Sequence, residues 1–230
     1  SSSNTGVDDL ALNFRVVGTR GATLEPGSSC GSGCYSATSE DVGVPASVTV
    51  LFAGETAAAV RFEIPTEWPA PTATALIRRA TAVFRALSSV SYREHLASAP
   101  KTSITAIWKL VAPDRLEYTI PGGAAGILIG GKRWDRTAPG SAWVKSSFQP
   151  IPAPTPTWPR RPTNVHLLQK TKEGYTVSML DRSLPSWFTI RFDRRLLPRT
   201  LDMTAAAHFM HHDYLSFDQP LEIRAPGASR

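Results

Sequence analysis

The chain has 230 residues, 42% of them hydrophobic and 19% charged, enough apolar surface for one large core or a medium core beside a smaller one, which excludes a disordered chain. Its formal net charge is +6, yet Lys and Arg are scattered as pairs such as Arg78-Arg79, Arg160-Arg161 and Arg194-Arg195, a solvated basic surface without the runs of a nucleic-acid binder, so no nucleic-acid partner is expected. Nowhere does an apolar run reach the ~18 residues of a membrane span, and Ser1-Ser2-Ser3-Asn4 lacks the basic start and apolar core of a signal peptide, so the stretch reads as soluble, in the manner of an extracytoplasmic part excised from something larger.

Residues 1–66 alternate over short runs separated by turn residues. Leu10, Leu12, Phe14 and Val16 fall on one face, Val48, Val50 and Phe52 on another, and Val60, Phe62 and Ile64 on a third, with Gly18, Gly21, Gly27 and Gly54 between the runs. This pattern predicts a small antiparallel β domain, sandwich-like in type. Its two cysteines, Cys30 and Cys34, flank Gly31-Ser32-Gly33. The flexible spacer allows their α-carbons the short separation a disulfide needs, which points to an oxidising compartment; a metal half-site and two free thiols are the alternatives, and a structural zinc would require further ligands that no second Cys pair supplies. Residues 67–71, Glu-Trp-Pro-Ala-Pro, form a stiff proline-rich linker.

Residues 72–226 open with an amphipathic helix. Leu76, Ile77, Ala80, Val83, Phe84 and Leu87 make one apolar stripe, Arg78, Arg79 and Arg85 point elsewhere, and Thr72 or Thr74 is placed to cap the start. After it come nine or more short alternating runs, from Val90-Tyr92-Leu96 to Leu201-Met203. The fold class expected is mainly β with one long amphipathic helix (α+β): a curved antiparallel half-barrel wrapped around that helix, behind the small N-terminal antiparallel β domain. Gly130-Gly131 between Ile127-Leu128-Ile129 and Lys132-Arg133-Trp134 is a hairpin signal. Residues 148–163 carry prolines at 150, 152, 154, 156, 159 and 162, a long extended loop that is either a surface excursion or a flap in which Trp158 closes a cavity mouth.

In this order, Ala112-Pro113-Asp114-Arg115-Leu116, Gly130-Gly131-Lys132-Arg133-Trp134, Trp143, and Trp187-Phe188-Thr189-Ile190-Arg191-Phe192-Asp193 with Leu197-Pro198-Arg199 resemble the periplasmic lipoprotein carriers of the LolA/LolB type and the related LppX/LprG lipoproteins over residues 72–225. The resemblance implies a half-open barrel whose apolar concave face holds acyl chains of a lipid or another hydrophobic small molecule. Trp108, Tyr118, Ile127, Ile129, Trp134, Trp143 and Trp187 are then the candidate cavity residues, with Arg115 or Arg133 meeting a headgroup; the alternative is that these aromatics are plain core. No second amphipathic helix forms the lid usual in that family. The front segment, with Gly33-Cys34-Tyr35 and a Phe-x-Ile-Pro strand before the Trp-Pro linker, resembles the YtkA-like or copper-resistance-protein-C-like β domains in the C-terminal part of actinobacterial copper-resistance-protein-D-type membrane proteins. That likeness implies a membrane-domain neighbour, an extracytoplasmic location and a tie to copper.

His208, Met210 and His212 share a face if residues 203–214 form a strand, and imidazole with thioether is a donor set copper accepts. The alternative places methionine in the core and the histidines on the rim. No cofactor is expected, copper being the one exception considered. There is no Gly-x-Ser-x-Gly elbow, His-Glu-x-x-His pair or phosphate-cradling glycine loop, and Glu94 and His95, as strand neighbours, point apart, so a noncatalytic binding module is expected.

Overall fold

The computed structural model describes residues 11–31, 34–52, 55–99, 102–205 and 208–227. Leu10, Gly33 and Gly54, which figured in the sequence patterns, lie outside them. Two compact units divide the chain: one takes the residues through Pro71 together with Ala99–Thr102, the other Thr72–Ser98 and everything from Ser103.

In the first unit β1 (Leu12–Gly18), β2 (Gly21–Pro26), β5 (Pro45–Phe52) and β6 (Glu55–Glu63) form one four-stranded sheet in the order β2-β1-β5-β6, and β3 (Ser28–Gly31) pairs with β4 (Cys34–Ser36) as a separate ribbon. Register sets Phe14 opposite Val50, Val16 opposite Val48, Val48 opposite Phe62 and Val50 opposite Val60. The apolar runs expected on separate faces thus share one face of a single sheet. Cys30 and Cys34 are joined as a disulfide with α-carbons 5.1 Å apart.

The second unit holds the helix α1 (Thr74–Arg85) and an eleven-stranded antiparallel sheet. Two meanders build it. β7 (Ser89–Ala99), β8 (Thr102–Val111), β9 (Arg115–Thr119), β10 (Ala125–Ile129), β11 (Lys132–Arg136) and β12 (Val144–Ser147) run outward one way, while β13 (Thr163–Lys170), β14 (Gly174–Asp181), β15 (Ser186–Asp193), β16 (Pro198–Ala205) and β17 (His208–Phe217) run back. The first strand of one meander and the last of the other pair, giving the order β12-β11-β10-β9-β8-β7-β17-β16-β15-β14-β13. The expected glycine hairpin joins β10 to β11, Gly130 taking a φ of 57° that only glycine adopts freely.

Curvature follows from the packing: Ile77, Ala80, Phe84 and Leu87 of the helix stripe share one core with side chains from strands as far apart in the sheet as Leu110 of β8 and Val165 of β13. Burial of Phe84, 1% exposed, stabilises by about 1.5–3 kcal/mol. The helix start departs from expectation. Its N-cap is Ala73 with no side-chain cap; the Ala73 N–H donates to the Val165 carbonyl, and Thr72 bridges to His166, so backbone pairing with the sheet edge, rather than a capping hydroxyl, anchors the helix start. The proline-rich segment runs over the surface at residues 148–152 and 160–161 but is pinned to the core at Ala153 and Trp158. Trp158 is 3% exposed, edge-on to Phe84 and Phe192 at 5.2 and 5.7 Å, and its Nε1–H donates to Thr81 Oγ1 at 3.0 Å.

Candidate functional site

The site is the helix-facing side of the sheet where the two meanders meet. β7 alternates Val90, Tyr92, Glu94 and Leu96 onto this side, and β17 sets Tyr214, His212 and Met210 opposite Tyr92, Glu94 and Leu96. β8 and β9 add the facing pairs Trp108–Tyr118 and Leu110–Leu116. Tyr92 lies between Trp108 and His212, stacked on both with ring centroids 6.1 and 4.5 Å away, and Tyr118 leans on Trp108 at 5.1 Å. Glycine at 126 makes this possible, since a β-carbon there would come within 2.3 Å of the Tyr118 ring.

A polar centre sits in this aromatic wall. His212 is fully buried, and its Nε2–H donates to Glu94 Oε2 at 2.9 Å. That proton position leaves Nδ1 buried without a partner, as is Trp108 Nε1. Burial, with Tyr214 close by, holds the Tyr92 phenol well above its ordinary range, and burial does the same for Tyr214. Both phenols are therefore neutral hydrogen-bond donors across the physiological range.

Trp108, Leu116, Met203 and Met210 pack against the core while remaining partly exposed. The arrangement offers apolar, polarisable surface continuous with the core, plus a few buried hydrogen-bonding groups.

Of the candidate cavity residues, Trp108 and Tyr118 lie on this face. Ile127 pairs with Glu117 and Trp134, and Ile129 with Arg115, on the opposite face. The reason is phase: the β9/β10 register puts Gly126, not Ile127, across from Tyr118. Trp187 is in register with Leu180 and Thr204, one residue out of phase with Phe188 and Met203, and also turns away. Trp143 lies before β12, its ring 5.0 Å from the Arg136 guanidinium. Arg115 donates to the Ile223 carbonyl at 2.8 Å, and Arg133 is held by both oxygens of Asp135 at 2.7 and 2.9 Å. His208, Met210 and His212 do share a strand face, but His208 is exposed and His212 is committed to Glu94. Among the described residues no three His, Cys, Asp or Glu side chains gather to hold a metal. Sequence reasoning missed Tyr92, Tyr214 and the Glu94–His212 pair. One signal was there: Glu94 occupies an apolar phase of its strand, between Tyr92 and Leu96.

Neither a protein-family model nor a curated protein sequence matches the chain. Among solved structures it is similar to a LolA superfamily protein from Nitrosomonas europaea at 13% sequence identity and a TM-score of 0.34, the match covering 66% of this chain and 96% of that one.

Proposed function

We propose that the second unit is a noncatalytic binding module that takes a hydrophobic ligand, a lipid or acyl chain, against the helix-facing side of its half-barrel. The observation that carries this is the partial exposure of Trp108, Leu116, Met203 and Met210 on the face that elsewhere forms the core. Apolar chains laid there gain about 0.8 kcal/mol per methylene removed from water, and methionine adapts to chains of differing shape. The motif order shared with the LolA/LolB and LppX/LprG carriers agrees with such a role. The Cys30–Cys34 disulfide fits an extracytoplasmic setting, beside a membrane-domain neighbour.

Native mass spectrometry of the purified chain is expected to show extractable amphiphile adducts, and added laurate is expected to shift the tryptophan emission. Trp108→Ala should weaken laurate binding about ten-fold, equivalent to ~1.4 kcal/mol. A chain that always flies at its bare mass and ignores laurate would sink the proposal. Stoichiometric copper uptake, lost on replacing His208, Met210 and His212 by alanine, would instead favour a metal-handling role.

A further inference from the structure

Arginines dispersed in the sequence come together in space on the other side of the helix. Arg78 and Arg85 lie seven residues apart on α1, in one stripe with Thr74 and Thr81. Arg160 and Arg161 come from the proline-rich segment, held between Pro159 and Pro162 next to the buried Trp158. Arg182 follows β14. Two cavities of about 500 and 720 Å³ share Thr81, Arg85, Pro159, Arg160 and Arg161 and so form one groove, with Arg78 at one end and Arg182 at the other. Each volume is in the range of ligand pockets, about 300–1,000 Å³.

None of these five arginines makes an ion pair or hydrogen bond among the described residues, whereas Arg20, Arg61, Arg93, Arg133, Arg199 and Arg224 each have a carboxylate partner. The one carboxylate lining the groove, Asp181, is occupied by its own turn, accepting from the Ser183 N–H at 2.8 Å and the Ser183 hydroxyl at 2.6 Å. Like charges brought from three elements around one groove repel one another until an anion sits among them. Guanidinium forks match phosphate oxygens in geometry as well as charge. Ile77, Ala82 and Pro162 give the groove an apolar wall beside the charges, suited to the organic part of an ester.

We propose that this groove is an anion site for a phosphate-bearing ligand, either the headgroup of an anionic lipid or a soluble phosphate compound. It stands independently of the apolar-ligand proposal, since it uses a different side of the helix and different residues.

The test uses the full chain at low salt, with inorganic pyrophosphate in isothermal titration and, separately, flotation with phosphatidylcholine vesicles with and without phosphatidylglycerol. The groove variant is Arg85→Gln with Arg161→Gln. Lys132→Gln with Lys170→Gln removes the same charge elsewhere on the exposed surface. Unchanged circular dichroism melts establish that both variants fold. The groove variant is expected to weaken binding of at least one probe about ten-fold while the control stays within about two-fold. Groove-dependent flotation only with phosphatidylglycerol identifies a lipid headgroup as the source; groove-dependent pyrophosphate binding identifies a soluble phosphate. Binding lost equally in both variants, or no binding of either probe by the wild type, overturns the site.

Discussion

Glu94 and His212 meet from positions 118 residues apart, and no local pattern reports such a meeting. In sequence, Glu94 neighbours His95, and His212 sits in a run that reads as rim or copper ligand; the β7/β17 register alone makes them partners. Removing one member of a buried pair leaves the other polar group uncompensated. His212→Ala is therefore expected to lower unfolding free energy by about 3 kcal/mol, the low end for such pairs because the Glu94 side chain retains 14% exposure. In urea titrations Glu94→Gln combined with His212→Ala should cost less than the two single changes together. Additive losses would show that the two side chains do not depend on each other. On the opposite sheet face His211 sits between Asp202 and Asp213, its Nδ1 2.6 Å from Asp202. The hydrogen bond to Asp202, foremost, raises its pKa above the ordinary value, against the opposing effect of burial. A histidine raised on folding stabilises fully below its unfolded pKa of about 6.5 and loses that contribution as pH climbs through the folded value. The urea midpoint of the wild type should thus exceed that of His211→Gln at pH 5 and approach it at pH 9. A gap that widened with pH would contradict the sign.

At the scale of elements, the helix and the glycine hairpin were legible because each rests on a local rule: a 3.6-residue stripe for α1, positive φ at Gly130 for the turn. The proline-rich segment was not. A lone Trp158 among prolines has no periodicity, so only the three-dimensional gap between Phe84 and Phe192 shows why a large ring is needed there. Trp158 closes the core beside the helix and, through Thr81, ties the segment to it. Trp158→Ala is expected to destabilise by about 3–5 kcal/mol, whereas Trp158→Phe keeps most of the packing and loses one hydrogen bond of about 1 kcal/mol. Thermal melts of the pair separate these contributions. Equal, small effects of both changes would return the segment to the surface role that its prolines suggested. Candidate site residues divided in the same way. Trp108 and Tyr118 lie on the helix-facing side, while Ile127, Ile129, Trp134 and Trp187 lie on the other, because strand alternation fixes which residues share a face within a run but not which face meets the helix.

For the whole molecule, the half-barrel around a helix followed from the sequence because one amphipathic helix cannot bury its stripe without a sheet, and the short alternating runs supply one. The pairing of β7 with β17, which joins two meanders into one sheet, and the gathering of the groove arginines are long-range outcomes without a sequence signature. The two units also differ in how much they bury. Among the described residues the first has Leu12 and Val42 as its buried apolar side chains, whereas the second has a continuous core running from Ala73 to Tyr214. Stability tracks buried apolar surface, so calorimetry of the full chain is expected to show two transitions, the lower one belonging to the first unit. The Cys30–Cys34 bridge closes a loop with a sequence separation of 4, for which the chain-entropy estimate is about 2 kcal/mol. Adding a reductant should therefore move the lower transition down by several degrees and leave the upper one where it is. A single transition shifted as a whole by reduction would mean that the chain unfolds as one cooperative body, with the small sheet sharing the stability of the half-barrel.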